Sequence, residues 1–254
     1  MMLSLMKNEF KKAWYGRKIW IFLIVLFGSL LLGTGLTLLA DSFAGTVLLG
    51  QLFLVLGFTT LAQMINIYVV IQMTGAVAGE FRSGTIKQLL IRPVSRHTLL
   101  FAKWFTTLLI GVGLYLAMSL VIYPVHMILF NGDSSLSWGE GFLTTLRFML
   151  YSLPGMTFYF TLALLIATLT RNTAITIVVA LIPYFFGGIF TTLNEFFEWP
   201  KWVVLTHVDL INIFELQMFS APFDGLWQSV LFILGHSILF LILGHILFKK
   251  RDVI

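Results

Sequence analysis

Three polar side chains, Thr59, Gln63 and Asn66, stand inside a long apolar run at spacings of four and three, which puts them on one helical face. Uncharged hydrogen-bonding groups in that setting either line a path for a passing solute or bond to a neighbouring helix or subunit, because hydrocarbon leaves them unsatisfied. Other chemistry is poorly supplied. The histidines at 97, 126, 207, 236 and 245 are scattered. His236 and His245 fall on opposite faces of one helix, and each reads as a packed or interfacial residue rather than a ligand. His207 and Asp209 offer two groups to a cation, which makes a weak site. There is no cysteine, no G-x-x-x-x-G-K-[ST] phosphate loop, no H-E-x-x-H and no G-x-S-x-G. No catalytic or metal-ligating residue is expected, and the chain does not read as an enzyme.

The second candidate is the interval from Glu80 to Lys103, which carries Arg82, Lys87, Arg92, Arg96 and Lys103 against the single acid Glu80. Thr85 with Gln88 resembles a capping box, followed by Ile86, Leu89 and Leu90 on one face. Pro93 stops that short helix, and Ser95 caps the next, which runs into an apolar span. On residues alone the interval is either an amphipathic docking element or a positively charged loop that fixes topology.

Both candidates are positioned by apolar spans. Of the 254 residues, 59% are hydrophobic and only 11% charged, and the mean hydropathy is +0.96. Water-soluble domains carry about a quarter charged residues, so lipid is the expected solvent. The net charge of +5 does not point to nucleic acid, since the basic residues lie in short intervals between apolar runs. The predicted fold is an all-α integral membrane domain over residues 1–254, with six transmembrane helices at 19–39, 45–78, 105–130, 142–169, 174–193 and 226–248. The interval 79–103 is the basic loop between the second and third spans, and 194–225 an outer hydrophobic segment. Residues 1–18 read as an amphipathic interfacial helix, with Leu3, Met6, Phe10, Ala13 and Trp14 as its stripe. The next run is too long for the core of a cleaved signal. Pro154 and Gly155 mark a kink point in the fourth span.

Lysines and arginines crowd one side of this topology and acids the other, so both termini are expected to be cytoplasmic in a multi-pass plasma-membrane protein. Arg147 lies near the outer end of its helix and can snorkel. On the outer side, the aromatic-rich 194–225 segment reads either as one or two helices re-entering or lying on the outer leaflet, or as a surface aromatic belt. Thr206 with Asp209 is expected to cap a short helix bearing Leu210, Ile213 and Phe214. Intramembrane charge is nearly absent, which argues against a proton- or sodium-coupled carrier.

Glu80, Gly84-Thr85-Ile86, Leu89-Leu90, Pro93, Ser95-Arg96 and Lys103 together resemble a pattern of the ABC-2 type permease family, E-x(3)-G-T-[LI]-x(2)-L-L-x(2)-P-x-S-R with a following lysine. The resemblance extends over the whole chain through the six-span topology. It implies a bacterial permease without its own ATPase, served by two ABC ATPase subunits that hold the ATP and Mg, and paired with a second permease chain, identical or sister. It further implies that the 79–103 stretch is the coupling helix. Glu80, Arg82, Gly84, Thr85, Ile86, Leu89, Leu90, Pro93, Ser95 and Arg96 would then dock the ATPase, with Thr59, Gln63 and Asn66 on the translocation path. The expected cargo is hydrophobic or amphipathic (peptide, toxin or antibiotic), as in export or self-immunity systems. The alternative is a membrane scaffold or regulatory partner of an ATPase that moves nothing.

Overall fold

Long apolar runs with few polar interruptions leave one economical backbone solution in lipid, the helix, which satisfies every N–H and C=O within its own segment. The computed structural model describes residues 2–44, 48–84, 95–130 and 138–250. Among them the chain forms α1 (Met2–Tyr15), α2 (Arg17–Ala44), α3 (Leu48–Arg82), α4 (Arg96–Phe130), α5 (Trp138–Thr170), α6 (Thr173–Leu193) and α7 (Leu226–Lys250), with short helical turns between α6 and α7 and no strand. Six of these, α2 to α7, are long and apolar enough to cross a membrane. The predicted spans therefore correspond one to one with helices, most of which run further than the apolar core alone requires.

The helix ends follow local chemistry. Gly16 separates α1 from α2, where any Cβ would come within 2.6 Å of the Lys12 carbonyl oxygen. Gly84, at φ 70°, closes α3 in the left-handed conformation that glycine adopts freely. Ser95 caps α4 as expected, accepting from the Thr98 N–H at 3.1 Å. Asn172 caps α6 by accepting from the N–H groups of Ala174 and Ile175. α5 continues through Pro154 without a break.

The centre of the bundle is α3, α4 and α5, with α7 packed closely along α5. Phe58, Ile65, Met73, Tyr115, Ile122, Phe148, Met156, Phe160 and Leu164 fill it, each less than 2.5% exposed. α2, α6 and α7 stand outside this core and present apolar side chains outward, among them Ile24, Leu31, Phe185 and Trp227. In water such an apolar periphery would be an aggregation surface; against acyl chains it is the ordinary exterior. α1 lies along α4, turning Glu9 and Ala13 inward and leaving Leu3, Phe10 and Trp14 exposed. Of the apolar stripe read from the sequence, Leu3, Phe10 and Trp14 thus face outward and Ala13 inward, and the inward face carries a carboxylate.

At the end opposite the two termini, residues 194–225 fold back onto the bundle. They form turns at Trp199–Trp202 and Val204–His207 and a π-type turn at Ile211–Glu215. Gly155 allows the close approach of this segment to α5, since a Cβ there would meet the Val208 carbonyl oxygen at 2.8 Å. Arg147 pairs with Glu215 at 3.4 Å and ties α5 to the same segment. The capping expectation is half corrected: Asp209 accepts from the Asn212 N–H, whereas Thr206 donates to the Pro200 carbonyl at 2.7 Å and starts no helix.

His207 is fully buried, between the rings of Phe223 and Phe232. Its Nε2 lies 2.8 Å from the Lys201 carbonyl and its Nδ1 2.9 Å from Ser229 Oγ. A neutral ring with its proton on Nε2 satisfies both: it donates to the carbonyl and accepts from the serine. Burial lowers the pKa of this imidazole from 6.5, partly opposed by the Lys201 carbonyl and assisted by His236. The depressed folded value means the contribution of His207 is complete above the unfolded pKa and is lost as pH falls through the folded one. The thermal unfolding midpoint in detergent should therefore fall as pH is lowered from about 7 to about 5. The His207→Gln variant should show a flatter profile over the same range; equal slopes would place the titration elsewhere.

Candidate functional site

Two polar assemblies are built into this bundle, one at each end. At the terminus end, Glu80 on the last turn of α3 and Lys103 near the start of α4 face each other, with Oε1 2.8 Å from Nζ. The same oxygen lies 2.8 Å from Lys12 Nζ. Glu9 of α1 completes the group, 2.8 Å from Lys12 and 3.1 Å from Lys103. Two carboxylates thus balance two ammoniums. The side chains of Lys103, Glu9 and Glu80 are 1%, 11% and 11% exposed, and that of Lys12 is 52% exposed. Burial opposes the charge of Lys12, but Glu80 and Glu9 outweigh it, and its pKa is raised above 10.5. Its contribution is therefore intact at any physiological pH and is lost only as pH rises through that raised value.

Glu80, expected among the docking residues, has its carboxylate between Lys12 and Lys103 and fixes α1 against the ends of α3 and α4. Arg96 donates to the Lys249 carbonyl at 3.2 Å and so ties α4 to α7. Gly84 and Ser95 act on the backbone, ending one helix and starting the next. Arg82 is exposed. Thr85, Ile86, Leu89, Leu90 and Pro93 lie outside the described residues.

At the opposite end, α3, α5, α6 and the 205–212 turn enclose a cleft of about 380 Å³. Thr59, Gln63 and Asn66 line it, as do Tyr151, Ser152, Tyr184 and Asp209. The expected face is thus brought onto one cavity, but its members differ in role. Thr59 Oγ1 donates back to the Val55 and Leu56 carbonyls of its own helix. Asn66 Oδ1 accepts from the Tyr115 hydroxyl at 3.1 Å. Asn66 therefore joins α3 to α4 while lining the cleft. Gln63 is exposed to the cleft. The tyrosines at 151 and 184 were not singled out in the sequence, where nothing distinguishes them from interfacial aromatics.

The histidines are less scattered in space than in sequence. His97 stacks on His245 with ring centroids 5.6 Å apart, and His207 and His236 flank Phe232. Among the described residues no three metal-ligating side chains come together.

A helical bundle with six membrane-length spans and polar assemblies at its two ends defines a multi-pass integral membrane protein. The chain belongs to the family described as protein of unknown function DUF2705, whose model matches residues 21–254. Two relatives come from Bacillus subtilis (strain 168). The uncharacterized protein YhcI is 26% identical over 211 residues, covering 74% of this chain and 64% of the relative. The uncharacterized membrane protein YdbK is 26% identical over 181 residues, covering 70% and 73%. The chain thus spans less than two thirds of the length of the first.

The charge group and the cleft make separable predictions. Glu80→Gln leaves Lys103 buried without its nearer counter-charge and should cost about 3 kcal/mol or more of stability. Lys12→Gln, at a half-exposed position, should cost under about 1 kcal/mol. Thermal unfolding of the purified variants compares them, and equal losses would deny Lys103 its dependence on Glu80. Likewise Asn66→Leu, which leaves the Tyr115 hydroxyl only its 3.3 Å bond to the Ala62 carbonyl, should cost about 1 kcal/mol, and Gln63→Leu should leave the unfolding midpoint unchanged.

Proposed function

We propose that this chain is the permease subunit of an ATP-driven exporter of the ABC-2 type, moving a hydrophobic or amphipathic cargo such as a peptide, toxin or antibiotic. The observation that supports the reading is where the helices flanking the sequence motif end. α3 ends at Arg82 and α4 begins at Arg96, so the motif connects two spans at the end of the bundle where α1 lies and α7 finishes. That end carries most of the lysines and arginines, and the positive-inside bias makes it cytoplasmic.

Two ATPase subunits holding ATP and Mg would dock there. Ile86, Leu89 and Leu90 would supply the apolar anchor, with Arg82 and the residues around it setting register. A second permease chain, identical or sister, completes the transporter. The polar cleft at Gln63 and Asn66 supports a path on the far side; it is bordered by aromatic side chains and carries one acid, Asp209, which suits an amphipathic cargo.

The test is co-expression with a candidate ATP-binding cassette protein. The pair should co-purify, and Leu89→Asp with Leu90→Asp should abolish association while the spans keep their unfolding midpoint. Gln63→Leu should lower cargo accumulation in vesicles without lowering ATP hydrolysis. A fully active complex bearing both aspartates would overturn the reading, and hydrolysis with no cargo movement would favour a scaffold.

A further inference from the structure

A cleft of about 1010 Å³ opens beside the charge group at the terminus end, between the α1–α2 junction, α3 and the start of α6. Its charges are unbalanced. Glu9 and Glu80 are matched by Lys12 and Lys103. Arg17, Lys18 and Arg82, which also line the cleft, have no acidic partner among the described residues. Arg17 and Lys18 occupy the first turn of α2, which contains no acid. The positive end of the helix dipole therefore adds to two cations instead of offsetting them, the reverse of the usual first-turn preference. Three cations and a helix N-terminus converging on one cavity call for an anion.

The shape of the cavity selects which anion. Lys18 crosses to α3, where its Nζ stands 3.2 Å from the point a Cβ on Gly75 would occupy; one turn on, Gly79 leaves open space. These bare turns make room for a bulky group beside the ammonium. Deeper along α3 the wall reaches Ile71, with Ile177 of α6 nearby. From Ile71 to Ser83 it runs about 18 Å, the cationic end grading into an apolar one. Trp14 and Trp20 meet edge to face at 4.9 Å beside Arg17, and indoles of this kind mark the headgroup level. We infer that this cleft binds an anionic phospholipid of the inner leaflet, its phosphate against Arg17, Lys18 and Arg82 and an acyl chain toward Ile71 and Ile177. A second copy of the chain fits less well, because a two-fold contact centred here would set the same cations against each other. The inference stands apart from the exporter reading, since it requires neither ATP nor cargo.

Native mass spectrometry of the full chain, reconstituted in equimolar phosphatidylglycerol and phosphatidylcholine and then extracted, tests it. The wild type should retain phosphatidylglycerol in preference. Arg17→Gln with Lys18→Gln should reduce that preference about tenfold, and Lys7→Gln with Lys11→Gln, exposed cations of α1 outside this cleft, should keep it. An equal loss in both double variants would reduce the effect to diffuse surface charge and overturn the site. So would displacement of the lipid by inorganic phosphate alone, or a Gly79→Cys disulfide between two copies with no lipid retained. Should the Arg17/Lys18 variant fail to fold, tryptophan fluorescence in the wild type decides: brominated phosphatidylglycerol should quench more than brominated phosphatidylcholine, and equal quenching overturns the proposal.

Discussion

A carboxylate shared by two ammoniums organises the terminus end of this protein. Glu80 Oε1 lies 2.8 Å from both Lys12 and Lys103, and the three residues come from α3, α1 and α4. An ion this buried is tolerated only with its counter-charges in place. The interaction therefore sets where α1 lies and how the ends of α3 and α4 stand relative to each other. Those two ends are the anchors of the basic interval between them, so whatever force reaches that interval is delivered to the bundle beside this charge group.

The opposite end is held by neutral and charged contacts together. Asn66 connects α3 with Tyr115 of α4, and the 194–225 segment is held by Arg147–Glu215 and by the buried His207. Between the two ends the packing of α3, α4 and α5 is built on apolar side chains. The hydroxyls buried there, Ser119, Thr157 and Thr161 among them, donate to carbonyls one turn back in their own helices, and charge is concentrated at the two ends. The cleft at the terminus end extends the same rule, with cations at its mouth and isoleucines at its depth.

Much of the fold was legible from composition and run length. Six apolar runs gave six helices, and Ser95 and Pro93 were read as punctuation, of which the first is seen in that role. The face of Thr59, Gln63 and Asn66 was legible from helical spacing. The division of labour within it was not: a threonine hydroxyl can return to its own helix, and an asparagine can bridge helices, without any change in the pattern. The ion partners of Glu80 were not legible either, because Lys12 lies 68 positions away on another helix.

The sequence by itself determined the solvent, the number of spans and which ends of them share a side, because these follow from transfer energies that are additive along the chain. Only the tertiary structure decided which charges neutralise each other and which remain unmatched, and which polar face borders a cavity. Those outcomes depend on distances of a few ångströms between helices far apart in sequence, where a charge pair is strong only if packing brings it together and excludes water.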